Sequence, residues 1–300
     1  MKLSGRKKRR ILIGFLTAVC LVLLLCAGCA RGAIQKNLKQ GGYMESWSAD
    51  DGRVLSGLSY GTEKTNKYDL YLPKGVEPGK DAPLLLLIHG GSWTEGNRGD
   101  IAYACKYYAK HGCITATMDY SLVSKENDVT IKTMLDEITA CIAAIQKKLK
   151  KEGYNAPKLA VGGLSAGGHL ALLYAYSRAS ESAIPVDPEK LDAPETVAAA
   201  DSLSPLHFVG PDSPPTIFAY GGRDDLVRPV HRDELAKALE AHHVPNVRVD
   251  FPNSNHAMWD DPDCTEAFRK AVLQYCETYM KPESPQVEPE QDAGQQAAKE

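Results

Sequence analysis

Several chemistries are excluded by what this chain does not contain. It has no H-E-x-x-H motif and no Cys/His cluster at ligand spacing, and the patch Asp260-Asp261-Pro262-Asp263 lacks a calcium-loop pattern. No metal is expected. The phosphate-cradling G-x-G-x-x-G is also absent, and no cofactor is expected. Charge of one sign is scarce: 35 basic and 38 acidic residues leave a net charge of -3, interspersed through the middle of the chain. That balance offers no surface to a polyanion, so no nucleic-acid partner is expected. Cysteine is sparse, with 8 in 300 residues. Beyond the first 29 residues only Cys105, Cys113, Cys141, Cys264 and Cys276 remain, odd in number and without a close pair. That is neither a disulfide scaffold nor a zinc site. Cys264 and Cys276 fall in one predicted helix, roughly 18 Å apart at the helical rise, too far to bridge. Most of these thiols are expected to be buried small hydrophobes, with a Cys105–Cys113 bridge left open. No internal repeat is visible.

What is present begins at the N-terminus. The basic cluster KLSGRKKRR (2–10) precedes an uncharged apolar run over 11–30, ILIGFLTAVCLVLLLCAGCA. A positive segment, an apolar stretch and small residues at its end read as a secretory signal or a membrane anchor. The run is near the lower length limit for a spanning helix, so length does not separate the two. Its end, Leu25-Cys26-Ala27-Gly28-Cys29-Ala30, resembles a bacterial lipoprotein signal, which implies lipidation at Cys29; Cys26 stands where that pattern usually has Leu. Lipoprotein, N-terminal anchor and free secretion all place the folded part outside the cytoplasm. The polar, Gly-containing stretch 30–52 reads as a tether. The Pro/Glu/Gln-rich end, 282–300, cannot repay its ordering entropy and is expected to be disordered. A single folded domain is expected over 53–281.

Within that domain, strand and helix patterns alternate. Residues 54–60 and 67–72 alternate apolar with polar, as in antiparallel strands with one solvated face. PLLLLIH (83–89) is a continuous apolar run, the mark of a strand buried on both faces. Helix is expected at 100–110, strand at 113–118, and a strongly amphipathic helix at 129–152. That helix presents Ile131, Leu135, Ile138, Cys141 or Ile142, and Ile145 on one face. Strand 158–161, helix 166–177, strand 216–220, helix 230–243, strand 247–251 and helix 263–280 follow. The alternation predicts an α/β fold: a mostly parallel central sheet with helices on both faces, led by antiparallel strands. The Pro/Asp/Glu/Ala-rich stretch 180–215 breaks the rhythm. Its single strand candidate is the weak TVAAA at 196–200. If no strand forms there, either the Asp224 strand packs directly beside the elbow strand or a gap opens beside Ser165, and either could displace Asp224; the stretch is read instead as a poor-looking strand, TVAAA followed by Asp201. The stretch is also too short to build a large cap domain.

The chemistry centres on Gly163-Leu164-Ser165-Ala166-Gly167, directly after the strand LAVG and directly before a helix. In that context the Ser sits on a sharp, strained turn. The residues two before and two after it must be nearly free of side chain. The helix N-terminus adds a positive dipole where an oxyanion would form. Taken alone, the pattern also fits an ordinary Gly/Ser turn. A second element, His89-Gly90-Gly91-Ser92-Trp93, ends the buried LLLLI strand, where two glycines let backbone N–H groups aim into a cleft. The backbone N–H groups of Gly91, Ser92 and Ala166 are the expected oxyanion hole, each typically supplying ~3–4 kcal/mol.

Together IHGGSW, DYSLV (119–123), GLSAGGHLALL (163–173), YGGRDDLV (220–227) and NSNHAMW (253–259) resemble the esterase/lipase branch of the α/β-hydrolase superfamily. They are most similar to bacterial carboxylesterases with an HGG-type oxyanion motif, of the hormone-sensitive-lipase-like and feruloyl/acetyl-esterase kind. The resemblance covers roughly 54–280. It implies a catalytic acid at Asp224, with Asp225 the alternative, and a base at His256, in the chain order Ser, Asp, His. The other histidines compete poorly. His231, His242 and His243 lie on a predicted amphipathic helix, His111 sits in a turn, His169 is expected to pack, and His89 to brace the oxyanion loop. Trp93 and Trp259 are expected to flank the nucleophile and bind substrate.

The implied activity is hydrolysis of short- to medium-chain acyl esters through an acyl-enzyme. Substrates would be small esters or an acyl group on a larger carrier such as a polysaccharide. Two alternatives stand beside it: a serine peptidase of the same fold, and a non-catalytic binding lipoprotein that uses the cleft for recognition.

Overall fold

The computed structural model describes residues 45–179 and 203–280. The leader 1–29 with Cys29, the strand candidate 196–200 and the tail 282–300 lie outside the described residues.

Five strands form one sheet in the order β1-β2-β4-β3-β5. They are β1 (Gly52–Ser59), β2 (Lys67–Pro73), β3 (Leu84–Ile88), β4 (Ile114–Met118) and β5 (Leu159–Gly163). β1 pairs antiparallel with β2, and β2 with β4; β3 runs parallel to both β4 and β5. Two further strands, β6 (Thr216–Gly221) and β7 (Asn246–Phe251), pair parallel with each other in a separate two-stranded sheet. Among the described residues no strand joins β5 to β6.

The helices are α1 (Ala102–Lys110), α2 (Ile131–Glu152), α3 (Ala166–Ala179), α4 (Pro229–Ala241) and α5 (Pro262–Tyr275). The sequence expectation of a helix from residue 100 is corrected at its start. A 3-10 turn, Arg98–Ile101, precedes α1, because Asn97 and Asp100 cap each other's backbone there. The helix expected to run to residue 280 ends at Tyr275 and passes into a π turn, Cys276–Met280. α2 begins at Thr130, whose hydroxyl accepts from the Thr133 N–H at 3.2 Å. It stops at Gly153, which takes the left-handed conformation (φ 81°) that glycine adopts without strain.

β3 sits between two apolar layers, and its alternation explains the unbroken run of leucines. Leu84, Leu86 and Ile88 join one core with Ile138 and Ile145 of α2 and Leu170 of α3. Leu85 and Leu87 point the other way, into a core with Cys105 and Tyr108 of α1 and Cys276. All five residues of β3 are buried, each contributing about 2 kcal/mol by area removed from water. The sheet therefore fixes the C-terminal ends of β3 and β5 rigidly side by side, and the site grows there.

Two smaller expectations are corrected. The tether does not extend to residue 52: Trp47 packs edge-on against Tyr71 at 5.6 Å, and Glu45 pairs with Lys110 at 3.4 Å. The Cys105–Cys113 bridge does not form. Both are free thiols, and Cys113 packs in the same buried layer as Cys276.

Candidate active site

β5 ends at Gly163 and α3 begins at Ala166, leaving two residues for the reversal. Ser165 occupies it with φ +55°, a left-handed conformation that costs a non-glycine residue ~1–3 kcal/mol. The neighbouring glycines are there for space. A Cβ on Gly163 would lie 2.4 Å from the Gly167 carbonyl carbon, and one on Gly167 would lie 2.2 Å from the Ile88 oxygen. The elbow is pinned to the adjacent strand by Leu164 N–H donating to Ile88 O (3.2 Å).

Ser165 Oγ lies 2.8 Å from Nε2 of His256, and Nδ1 of the same ring lies 2.7 Å from Oδ2 of Asp224. A carboxylate can only accept, so Nδ1–H donates to Asp224 and Nε2 presents its lone pair to the Ser165 hydroxyl. Asp224 is buried, and its other oxygen accepts from the N–H groups of Leu226 and Val227, both at 2.9 Å. Those two bonds fix the carboxylate's plane. Asp225 beside it is exposed. The strand candidate 196–200 lies outside the described residues, and Asp224 meets His256 at 2.7 Å. Loops after β6 and β7 carry Asp224 and His256, and these loops are stitched to each other by backbone hydrogen bonds. Gly222 N–H donates to Phe251 O (2.8 Å) and Arg223 N–H to Ser254 O (2.9 Å). Gly221 must be glycine for this, because a Cβ there would meet the Asn255 oxygen at 2.3 Å.

The loop after β3 turns through three consecutive positive-φ residues, Gly91 (120°), Ser92 (51°) and Trp93 (62°). Gly91 O accepts from Thr94 and Glu95 N–H, and Trp93 O accepts from Val123 N–H at 2.9 Å. Among the described residues no hydrogen bond occupies the N–H of Gly91, Ser92 or Ala166. The loop touches the elbow: a Cβ on Gly90 would lie 2.8 Å from Leu164 O. His89 is buried beneath, its Nδ1–H donating to Gly90 O (2.7 Å) while Tyr120 stacks on the ring at 4.2 Å. Burial lowers the His89 pKa, which keeps the ring neutral.

Behind the base loop sits a residue that sequence reading missed. The acidic patch 260–263 leading into the last helix offers Asp261 or Asp263 as its cap. Asp261 does occupy the N-cap position of α5, but its carboxylate makes no capping bond. It turns back instead. Asp261 accepts from Asn253 N–H (3.0 Å), Asn253 Nδ2 (2.9 Å) and Ser254 Oγ (2.7 Å), holding the turn just before His256. Burial alone would raise its pKa, but these donors outweigh that and hold it below the ordinary carboxylate value. A charged residue before a helix looks the same in sequence whichever way its side chain points.

Trp93 is brought against His169 of α3, edge to face at 5.3 Å. Trp259 lies three residues beyond His256, half-buried, and among the described residues no ring contact joins it to Trp93. His231, His242 and His243 are exposed, and His111 bonds the Tyr107 carbonyl from the end of α1. Among the described residues no cluster of His, Cys, Asp and Glu could hold a metal. What the arrangement can do is move a proton from Ser165 to His256 while Asp224 holds the ring.

Comparison with known proteins agrees with this geometry. The BD-FAE family matches residues 68–193. Esterase LipQ of Mycobacterium tuberculosis is 24% identical over 242 residues, covering 67% of this chain and 56% of its own length. The chain spans no more than that share of the curated relatives it matches. Among solved structures, a carbohydrate esterase from gut microbiota superposes with a TM-score of 0.62 at 15% identity, over 77% of this chain and 98% of that one. An inhibited esterase B from Lactobacillus rhamnosis also gives 0.62, at 21% identity over 86% and 96%. Those structural likenesses carry the α/β-hydrolase fold, and in sequence the chain is similar to esterases of the carboxylesterase/lipase branch.

Proposed function

We propose that this protein is a serine carboxylic-ester hydrolase acting on short- to medium-chain acyl esters. The observation that carries the reading is the single imidazole spanning Ser165 at 2.8 Å and the buried Asp224 at 2.7 Å. Ser165 attacks the ester carbonyl while His256 takes its proton. The developing oxyanion rests on the N–H groups of Gly91, Ser92 and Ala166, each worth ~3–4 kcal/mol where charge forms. His256 then returns the proton to the departing alcohol. Water, activated by the same imidazole, releases the acyl group and restores the enzyme. The strained φ values of Ser165, Ser92 and Trp93 support this, since backbone strain of this kind clusters at catalytic turns.

Two features extend the reading to setting. The basic cluster and apolar run of residues 2–30 favour a place outside the cytoplasm, held by a helix or by lipid on Cys29. An esterase there would meet acylated polysaccharides, and the likeness to a carbohydrate esterase supports that substrate class.

Hydrolysis of p-nitrophenyl acetate, butyrate and octanoate by the full chain, beside Ser165→Ala, tests the proposal. Turnover that falls with acyl length and disappears in the variant is expected. A folded chain without turnover, or a variant that keeps it, would overturn the reading.

A further inference from the structure

Among the described residues three buried side-chain polar atoms lack a hydrogen-bond partner: Nε2 of His89 beneath the oxyanion loop, and two on rings that touch each other. Nε1 of Trp93 and Nδ1 of His169 are each buried without any hydrogen-bond partner. A buried donor or acceptor is rarely left unpaired, so such an atom asks for a partner. These two are not scattered. Trp93 stands on the oxyanion loop two residues past Gly91, and His169 stands on α3 one turn past Ser165, its N–H bonded to the Ser165 carbonyl. Their rings touch edge to face with centroids 5.3 Å apart, so the two side chains meet between the oxyanion loop and α3.

The hydrogen-bonding polarity of the pair can be read. Nε2 of His169 lies 2.9 Å from the Leu203 carbonyl, which only accepts, so Nε2 carries the hydrogen and Nδ1 offers a lone pair. Burial lowers the pKa of this ring, so Nδ1 stays unprotonated. The indole N–H of Trp93 only donates. One donor and one acceptor side by side are satisfied together by a hydroxyl, which accepts and donates through a single oxygen. A carboxylate would meet the indole but oppose the lone pair of Nδ1. An ammonium would do the reverse.

We propose that Trp93 and His169 form a subsite for a free hydroxyl on the alcohol portion of the substrate, next to the scissile ester. The assignment falls on the alcohol because a simple acyl chain carries no hydroxyl. It rests on the esterase reading and makes the preferred substrate a partly acylated polyol or sugar.

The test compares kcat/KM of the full chain for glycerol monoacetate and for propyl acetate, which differ chiefly in free hydroxyls. The wild type is expected to prefer the glycerol ester by about tenfold or more, since a site built to bond a hydroxyl rejects its deoxy analogue. Trp93→Phe removes the donor and keeps a ring; His169→Gln serves as an independent second variant. In each, the preference should fall to about twofold or less, through a higher KM for the glycerol ester. A wild type that hydrolyses both esters alike would overturn the subsite and leave the esterase reading standing, the two nitrogens then holding only water. A preference that survives in both folded variants would likewise overturn it. No hydrolysis of any ester would overturn both.

Discussion

Replacing Asp224 by Asn changes one atom in a buried position and isolates what that carboxylate does. In the native site Oδ1 accepts from Leu226 and Val227 N–H, both at 2.9 Å, while Oδ2 accepts from Nδ1–H of His256 at 2.7 Å. The Asn carbonyl oxygen can keep the first two bonds. Its NH2 group cannot accept from Nδ1–H, so the imidazole moves its hydrogen to Nε2 and offers a lone pair to the amide instead. A protonated Nε2 cannot take the Ser165 proton. General-base help is worth up to ~10⁴ in rate, and the same exchange in a serine-protease triad costs about 10⁴. That corresponds to about 5.5 kcal/mol on the barrier. The fold loses one charge-assisted bond, at most ~3 kcal/mol. Steady-state kinetics on p-nitrophenyl butyrate should therefore show kcat falling by ~10³–10⁴ with the thermal transition only modestly lowered. Asp225→Asn, at an exposed position, should change kcat by less than about twofold. Retention of a tenth or more of kcat in Asp224→Asn, or an equal loss in Asp225→Asn, would refute this reasoning.

Other perturbations follow from the same contacts. Gly167→Ala places a methyl 2.2 Å from the Ile88 oxygen, so α3 must retreat from the end of β3; kcat should fall at least ~10²-fold. Denaturant titration should show a destabilisation of about 1–3 kcal/mol in the same variant. Asp261 has a folded pKa below its unfolded value, so its contribution to stability is complete above the unfolded value and fades as pH falls through the folded one. Thermal melts taken down through the carboxylate range should show a steeper acid loss for the wild type than for Asp261→Asn. Cys113 and Cys276 lie together in the buried layer behind α1, and the neighbouring Cys276 thiol together with burial raises the Cys113 thiol well above its ordinary range. Diamide should oxidise the pair slowly, removing two hydrogens to form one intramolecular disulfide, and tryptic mapping should join their two peptides; linkage through Cys105 instead would contradict the packing.

The parts of the fold legible in sequence were those set by a single local pattern. The LLLLI run announced a strand buried on both faces, and the Ile131–Leu135–Ile138–Ile145 stripe announced α2, because each repeats one demand of one environment. The glycines around Ser165 could be read because the elbow has no room for a Cβ. Less legible were features that depend on direction rather than residue type. Asp261 looked like a cap and instead holds Asn253 and Ser254, since rotation of one side chain decides between them. Nothing local told that the loops after β6 and β7 bind each other tightly enough to seat Asp224 and His256 without a described strand beside β5. Nor did spacing reveal that Cys113 meets Cys276, 163 residues along the chain, rather than Cys105.

Mass spectrometry of the full chain after exposure to a fluorophosphonate tests the assignment of Ser165 as an activated nucleophile most directly. One adduct is expected, mapped to Ser165, absent in Ser165→Ala and formed far more slowly in His256→Ala, whose Ser165 has lost the acceptor 2.8 Å away. A folded chain that takes no label, or labels at another residue while Ser165 stays free, would contradict it.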